Sequence, residues 1–399
     1  MHPIKSPAQK LYAFVQTITL PNVLAFLSFF TSISRLLPFG RLHCKKWSVV
    51  INYHLLVVVI AATVLGSCQK EKLSDAAALN RTTSETASID ARRRSRRSTN
   101  NTDKVITNYG AYIYPPSTGP GWLDFQQNVA GQLGISCLRG CTSVPGNGNP
   151  PPILASGYDV LLNFIADNDS GRDPAPFVSN LTKYKSDLNR IIAVCSVKPV
   201  VAVIENEESN RYFYSGTAQQ YINQLSTAIS VMHANGIKVA NGGITSQGLN
   251  YLVYQDFIDQ GKYDSADQFR QLVGIALKDP ATQDRAEFID ILLTNYNRMD
   301  LDYINFHWKG TSPNTDALNE VINYLKKRSN KPIISNEFGQ FDTDPNTLTS
   351  MAKLSADQDL PYSLWYSPDE NTGKRDTPLQ HSNAKLTATG FAYQDYLAQ

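Results

Sequence analysis

From residue 105 onward the chain repeats one unit: a short run of β-branched and aromatic residues, then an amphipathic helical stretch. Strand-type runs fall at 105–114, 135–140, 158–164, 199–205, 237–243, 302–308, 332–339 and 361–367. Helix-type stretches follow at 122–134, 177–195, 218–236, 317–329 and 388–398, with a long helical insertion over roughly 248–299. Apolar runs of this kind require cover on both faces, which is the environment of a parallel sheet. Eight strand runs alternating with helical stretches predict an α/β chain folded as a (β/α)8 TIM barrel. A doubly wound sheet uses similar units but usually carries a Gly-rich phosphate loop after an early strand, and the sequence has none.

In a barrel every strand opens at its C-terminal end onto the same face. Two of those ends share a pattern. "PVVAVIENEESN" (199–210) runs from an apolar strand into Asn206-Glu207, and "KPIISNEFGQ" (331–340) runs into Asn336-Glu337. A lone Asn-Glu is a common loop dipeptide. Two of them on strands four and seven bring two carboxylates to one rim. Paired carboxylates across a cleft are the equipment of glycoside hydrolysis, one donating a proton to the leaving oxygen and the other attacking the anomeric carbon, about 5–5.5 Å apart in retaining enzymes. Glu205 shares pleat parity with Glu207 and is the alternative acid. In strand seven, Ile333, Ser335 and Glu337 share a face by alternation, which directs Glu337 inward.

Charge is divided unevenly. Up to residue 104 the chain carries 15 Lys and Arg against 5 Asp and Glu, which leaves 22 against 30 for the remainder. An acidic main domain argues against nucleic acid as the partner, because phosphate binding needs a positive face. The basic surplus sits in a region that reads as leader and tether. Lys45-Lys46, an apolar core and Leu65-Gly66-Ser67-Cys68 have the layout of a signal peptide. Residues 1–67 are therefore expected to be a leader whose true start lies downstream of Met1. Residues 68–104, rich in Ser, Thr, Asn and Ala with the basic run "ARRRSRRS", read as a flexible linker. The globular domain spans 105–399. Cys137 and Cys141 flank Leu138-Arg139-Gly140 and could pair if Gly140 allows a turn, although free thiols are the plainer reading. Asp167, Asp169 and Asp173 are spaced like part of a calcium loop, but Val178 stands where the closing glutamate belongs, so no metal and no cofactor is expected.

Two resemblances extend this reading. The Leu-Gly-Ser-Cys segment resembles a bacterial lipobox, and the "CQKEK" start resembles outer-membrane lipoproteins of the Bacteroidetes. That implies lipidation of Cys68 and an outer-membrane location, periplasmic or surface-exposed. Asn206-Glu207 and Glu337 resemble glycoside hydrolase clan A, notably families 5 and 39, over the whole barrel. The resemblance implies a retaining hydrolase of a β-linked poly- or oligosaccharide, with Glu207 as acid/base, Glu337 as nucleophile and Asn206 on the sugar 2-hydroxyl. It places Arg139, His307 and Trp365 at the ends of strands two, six and eight, with Trp365 as a sugar platform. Trp308 is an outer-subsite candidate, as is Trp122, which helix packing explains equally well. The sequence departs from family 5 at His307-Trp308-Lys309, where His-x-Tyr is usual, and at Glu208, where the clan often has proline. A monomer is expected. The rival reading is a non-catalytic glycan-binding lipoprotein on the same barrel.

Overall fold

The computed structural model describes residues 105–114, 121–166, 174–311, 314–368 and 378–399. The expected leader and tether, Cys68 among them, and the Asp167–Asp173 loop lie outside the described residues. The described residues form eight strands: β1 Asn108–Ile113, β2 Cys137–Val144, β3 Asp159–Ala166, β4 Val201–Ile204, β5 Lys238–Asn241, β6 Ile304–Gly310, β7 Ile333–Gln340 and β8 Tyr362–Ser367. All neighbouring pairs are parallel, in the order β5-β4-β3-β2-β1-β8-β7-β6. Parallel bridges Ala240–Tyr303 and Ile244–Phe306 join the two outer strands. The fold is thus the (β/α)8 barrel that the repeat predicts.

The β5–β6 seam is closed partly by a side chain. The Asn241 amide accepts from the Asn305 N–H at 2.7 Å and donates to the Asn305 carbonyl at 2.9 Å. It stands in for ladder bonds that two strands this far apart leave unmade.

The helices are α1 Trp122–Leu133, α2 Leu181–Val194, α3 Ala218–Ala234, α4 Ser246–Asp259, α5 Tyr263–Val273, α6 Pro280–Tyr296, α7 Thr315–Arg328, α8 Pro345–Asp357 and α9 Ala388–Leu397. The long insertion resolves into α4, α5 and α6. Their starts follow capping chemistry: Thr217 and Gln220 form a reciprocal capping box on α3, and Asp279-Pro280 and Asp344-Pro345 open α6 and α8.

The buried side chains fall into two layers, as alternation along each strand requires. Ala111, Leu138, Leu162, Ala202, Val239, Phe306 and Ile333 pack outward against the helices. Cys137, Leu161, Val201, Val203, Ala240, Tyr303, Ile334 and Leu364 fill the barrel interior.

Three expectations meet the structure here: the first and third are corrected, and on the second the plainer reading, free thiols, holds. Ile333 lies in the outer layer and Ile334 in the inner one, the reverse of the expected parity. The inward course of Glu337 is restored by a β-bulge. Between the pairs Asn305–Ile334 and His307–Glu337, β7 advances three residues while β6 advances two. The same slip recurs against β8, between Ser335–Ser363 and Phe338–Trp365. One extra residue in β7 therefore turns both Asn336 and Glu337 toward the interior. Second, Cys137 and Cys141 are free thiols. Gly140 is mid-strand, not a turn, and four strand residues separate the α-carbons by about 13 Å, beyond disulfide reach. Third, Arg139 and His307 sit inside β2 and β6 rather than at their ends, so the site is sunk below the rim. Among the described residues no helix is long and apolar enough to cross a membrane.

Candidate active site

β4 stops at Ile204, and the chain then turns sharply to present Glu207. Glu205 and Glu207 both hold left-handed backbone, at φ 70° and 55°. That conformation costs about 1–3 kcal/mol per non-glycine residue and persists where surrounding bonds enforce it. Here the Glu205 N–H donates to Phe164 at 3.0 Å and the Glu207 N–H to Gly242 at 3.1 Å.

Glu207 and Glu337 meet at His307. One donor atom of each of the three lies within 4.8 Å of the others. His307 Nδ1 is 3.2 Å from Glu207 Oε1 and 3.8 Å from Glu337 Oε2. Glu207 Oε2 accepts from Asn210 Nδ2 at 2.8 Å. The Asn210 orientation is fixed, because its Oδ1 accepts the Tyr212 N–H at 3.0 Å.

The two carboxylates have different surroundings. Arg139, 2% exposed, donates through one terminal nitrogen to Glu337 Oε2 and through the other to Asn206 Oδ1 at 2.6 Å. Lys309 Nζ is 3.9 Å from Glu337 Oε1. Burial pushes the Glu337 carboxyl up, but His307, Arg139 and Lys309 together outweigh it and hold the group well below the usual carboxylate range. Glu337 is therefore an ionised, oriented carboxylate. Glu207 is more open, with its side chain 20% exposed beside a histidine and an amide.

By distance alone, Glu207, His307 and Glu337 could hold a metal ion. Two cations already beside Glu337 oppose a third, so the trio fits a proton-handling site better than a metal centre.

Glu205 and Glu208 are not part of this cleft. Glu205, 1% exposed, bonds Gln224 on α3, the Tyr214 hydroxyl at 2.9 Å and the Ala166 N–H at 3.2 Å. It caps the end of β3 and ties it to α3, which removes it as the alternative acid. Glu208, fully buried, accepts through Oε1 from Asn241 at 2.7 Å and Tyr296 at 2.8 Å, while Oε2 has no partner. Burial lifts each of these two carboxyls to about 7, against the hydrogen bonds that lower it.

The tryptophans are the clearest departure from expectation. Trp365 and Trp308, 4% and 2% exposed, belong to the outer layer between barrel and helices. Neither faces the cleft. On each strand the next residue turns inward instead. Tyr366 meets Tyr112 at a tilt and Tyr114 edge-on, and Lys309 Nζ lies 4.6 Å from the Tyr366 ring centre. Lys309 thus occupies the position where family 5 usually has tyrosine, and Tyr366 is the strand-eight aromatic on the inner face. Trp122 begins α1 and packs partly buried against the outer core.

Arg139, Asn206, Glu207, His307 and Glu337 are brought together as the sequence suggests. Asn210, Lys309 and Tyr366 join them unannounced, and Asn336, named in the sequence only as half of the Asn-Glu dipeptide, enters with them. The alternation from His307 points to Lys309, but no sequence period marks Asn336 or Asn210.

No family model matches the sequence, and no curated protein matches it. Similar solved structures are glycoside hydrolases and a relative of theirs. One is a GH128 endo-β-1,3-glucanase from Amycolatopsis mediterranei in complex with laminarihexaose, at 12% identity and TM-score 0.46, covering 73% of this chain and 99% of that one. Another is an endo-1,4-β-D-mannanase from Thermotoga petrophila, at 12% identity and TM-score 0.46, covering 74% and 99%. A third is a GH128 oligosaccharide-binding protein from Cryptococcus neoformans, at 11% identity and TM-score 0.44, covering 73% and 94%.

Proposed function

We propose that the barrel is a retaining glycoside hydrolase acting on a β-linked poly- or oligosaccharide. The observation that carries the reading is the Glu207–Glu337 pair. Their nearest oxygens lie within 4.8 Å, and the site treats the two carboxylates differently. Such closeness suits direct attack on the anomeric carbon, the arrangement of retaining enzymes, better than the wider spacing of inverting ones. Glu337, held ionised by Arg139, attacks the anomeric carbon to form a glycosyl-enzyme. Glu207 gives its proton to the departing oxygen, then takes one from the incoming water. Asn206, anchored through its oxygen to Arg139, keeps its amide hydrogens for the sugar 2-hydroxyl. Such a bond strengthens as charge develops at the ring.

The tether reading supports a place for this activity in the cell envelope, with the Cys68 lipid holding a monomeric barrel near polysaccharide outside the cytoplasm. The test of the enzyme is release of reducing ends from a panel of β-linked polysaccharides by the purified protein. Release abolished in Glu337→Ala supports the reading. Binding of a glycan without any release supports the glycan-binding alternative.

A further inference from the structure

Beneath the two carboxylates lies a connected set of buried amides from three strands: Asn163 on β3, Asn305 on β6 and Asn336 on β7, each 0% exposed. Every amide orientation in the set is dictated by a partner that can act only as donor or only as acceptor. Asn163 Nδ2 donates to the Glu205 carbonyl at 2.8 Å, and its Oδ1 accepts Arg139 Nε at 3.1 Å. The group facing Asn163 Oδ1 from Asn336, at 3.0 Å, must therefore be the amide nitrogen. Asn305 reaches the same conclusion from the other side. Its Oδ1 accepts the Asn336 N–H at 3.0 Å, so its Nδ2 donates to Asn336 Oδ1 at 2.8 Å.

Asn336 thus presents an oxygen, and only an oxygen, to His307 Nε2 at 2.8 Å. An oxygen acceptor requires a hydrogen on Nε2. In the neutral ring the other nitrogen, Nδ1, then carries the lone pair, and it points at Glu207 Oε1 3.2 Å away.

We propose that Asn336 is a positioning residue that locks the Nε2–H tautomer of His307, so that His307 Nδ1 and Glu207 Oε1 share the proton delivered to the leaving group. The inference rests on the reading of Glu207 as the acid. When the proton is on Glu207, its O–H donates to Nδ1. When it is on the ring, Nδ1–H donates to the carboxylate. Transfer to the leaving oxygen breaks the Glu207 O–H bond, leaving the carboxylate free to accept a proton from water in the second step. The charged groups facing this pair are Glu337, Arg139 and Lys309, with Glu208 behind the ring. Glu337 Oε2, 3.8 Å from Nδ1, draws the proton toward the ring, and Arg139 and Lys309 oppose it.

The geometry also supplies a test, because Asn336→Leu removes three side-chain hydrogen bonds but leaves two of the three partners with another one. Asn163 Oδ1 keeps Arg139, and Asn305 Nδ2 keeps the Asn241 carbonyl at 3.3 Å. Only His307 Nε2 is left without one. The experiment is nitrogen–proton correlation NMR of the histidine-labelled full-length protein, the His307 signals being those absent in His307→Gln. In the wild type the neutral ring is expected to carry its hydrogen on Nε2, with Nδ1 bare. In Asn336→Leu both tautomers should appear. The basic limb of kcat/KM on glycan should move down by roughly one pH unit, the effect of one hydrogen bond on a shared proton. The burst of an activated aryl glycoside, whose departure needs no proton, should be nearly unchanged, whereas general damage to the site would reduce it equally. A wild-type His307 carrying its hydrogen on Nδ1 would overturn the proposal, as would an unmoved limb in Asn336→Leu. Wild-type protein that hydrolyses nothing would instead remove the acid role of Glu207, while the NMR result would still decide the tautomer.

Discussion

Gly243 lies flat against the imidazole of His307, so closely that a Cβ at position 243 would overlap the ring. Its φ of 113° is also one that L side chains rarely adopt. The loop after β5 thus packs behind the histidine that joins the two carboxylates. Gly243→Ala should fold with a loss of about 1–3 kcal/mol, from strain and overpacking. It should lower kcat/KM about 100-fold by displacing His307. Thermal unfolding and glycan hydrolysis read the two effects separately. Unchanged activity would mean that the His307 position is unimportant.

Arg139 serves Glu337, Asn206 and Asn163 at once from a buried position. Lysine cannot span three acceptors with one ammonium, so Arg139→Lys should lose most activity, at least about 100-fold. The pH profile carries the sign. Glu337 ionises below its unfolded range in the native protein, so its contribution to stability is full above about pH 4.3 and is lost as pH falls. Removing Arg139 weakens that effect. The acid limb of kcat/KM for Arg139→Ala should therefore lie above the wild-type limb.

Glu208 behaves in the opposite sense. Its carboxyl is lifted to about 7 by burial, so the native state favours its protonated form. That contribution is complete below about pH 4.3 and disappears as pH rises through about 7. Glu208→Gln keeps an oxygen for Asn241 and Tyr296 and cannot ionise. It should match the wild type near pH 5 and melt roughly 2–6 °C higher at pH 8. A Tm difference that does not vary with pH would contradict the assignment.

The barrel was legible because strand and helix periods survive burial. The β-branched runs at 199–205 and 332–339 become β4 and β7 within a residue or two at most of their boundaries. The carboxylate pair was legible because those runs end in matching dipeptides. Facing was legible only where polarity alternates. β8 reads Tyr-Ser-Leu-Trp-Tyr-Ser with both sides buried, so its sequence does not say whether Trp365 or Tyr366 enters the barrel. In β7 the extra residue that turns both Asn336 and Glu337 inward leaves no trace in a two-residue period. Asn210 acts through a turn that brings it back under Glu207, and turn geometry of that kind is fixed by tertiary contacts with Gly242 and Tyr214.

Attachment to the membrane is an independent prediction. Palmitate supplied to cells should label the wild type through Cys68, and Cys68→Ala should lose the label and the leader-cleaved form. Equal labelling of both would contradict the lipoprotein reading.

The most direct test of the central claim separates the two glutamates by azide rescue with an activated aryl glycoside. Glu207→Ala should still form the glycosyl-enzyme but release it slowly, because no base activates water. Azide needs no base and has room where the carboxylate stood, so it should speed turnover and yield a glycosyl azide of retained configuration. Glu337→Ala lacks the nucleophile, and any azide product should have inverted configuration. Retained product from the first variant and inverted product from the second is the expected result. Inverted product from Glu207→Ala, or full activity of either variant on glycan without azide, would contradict the account.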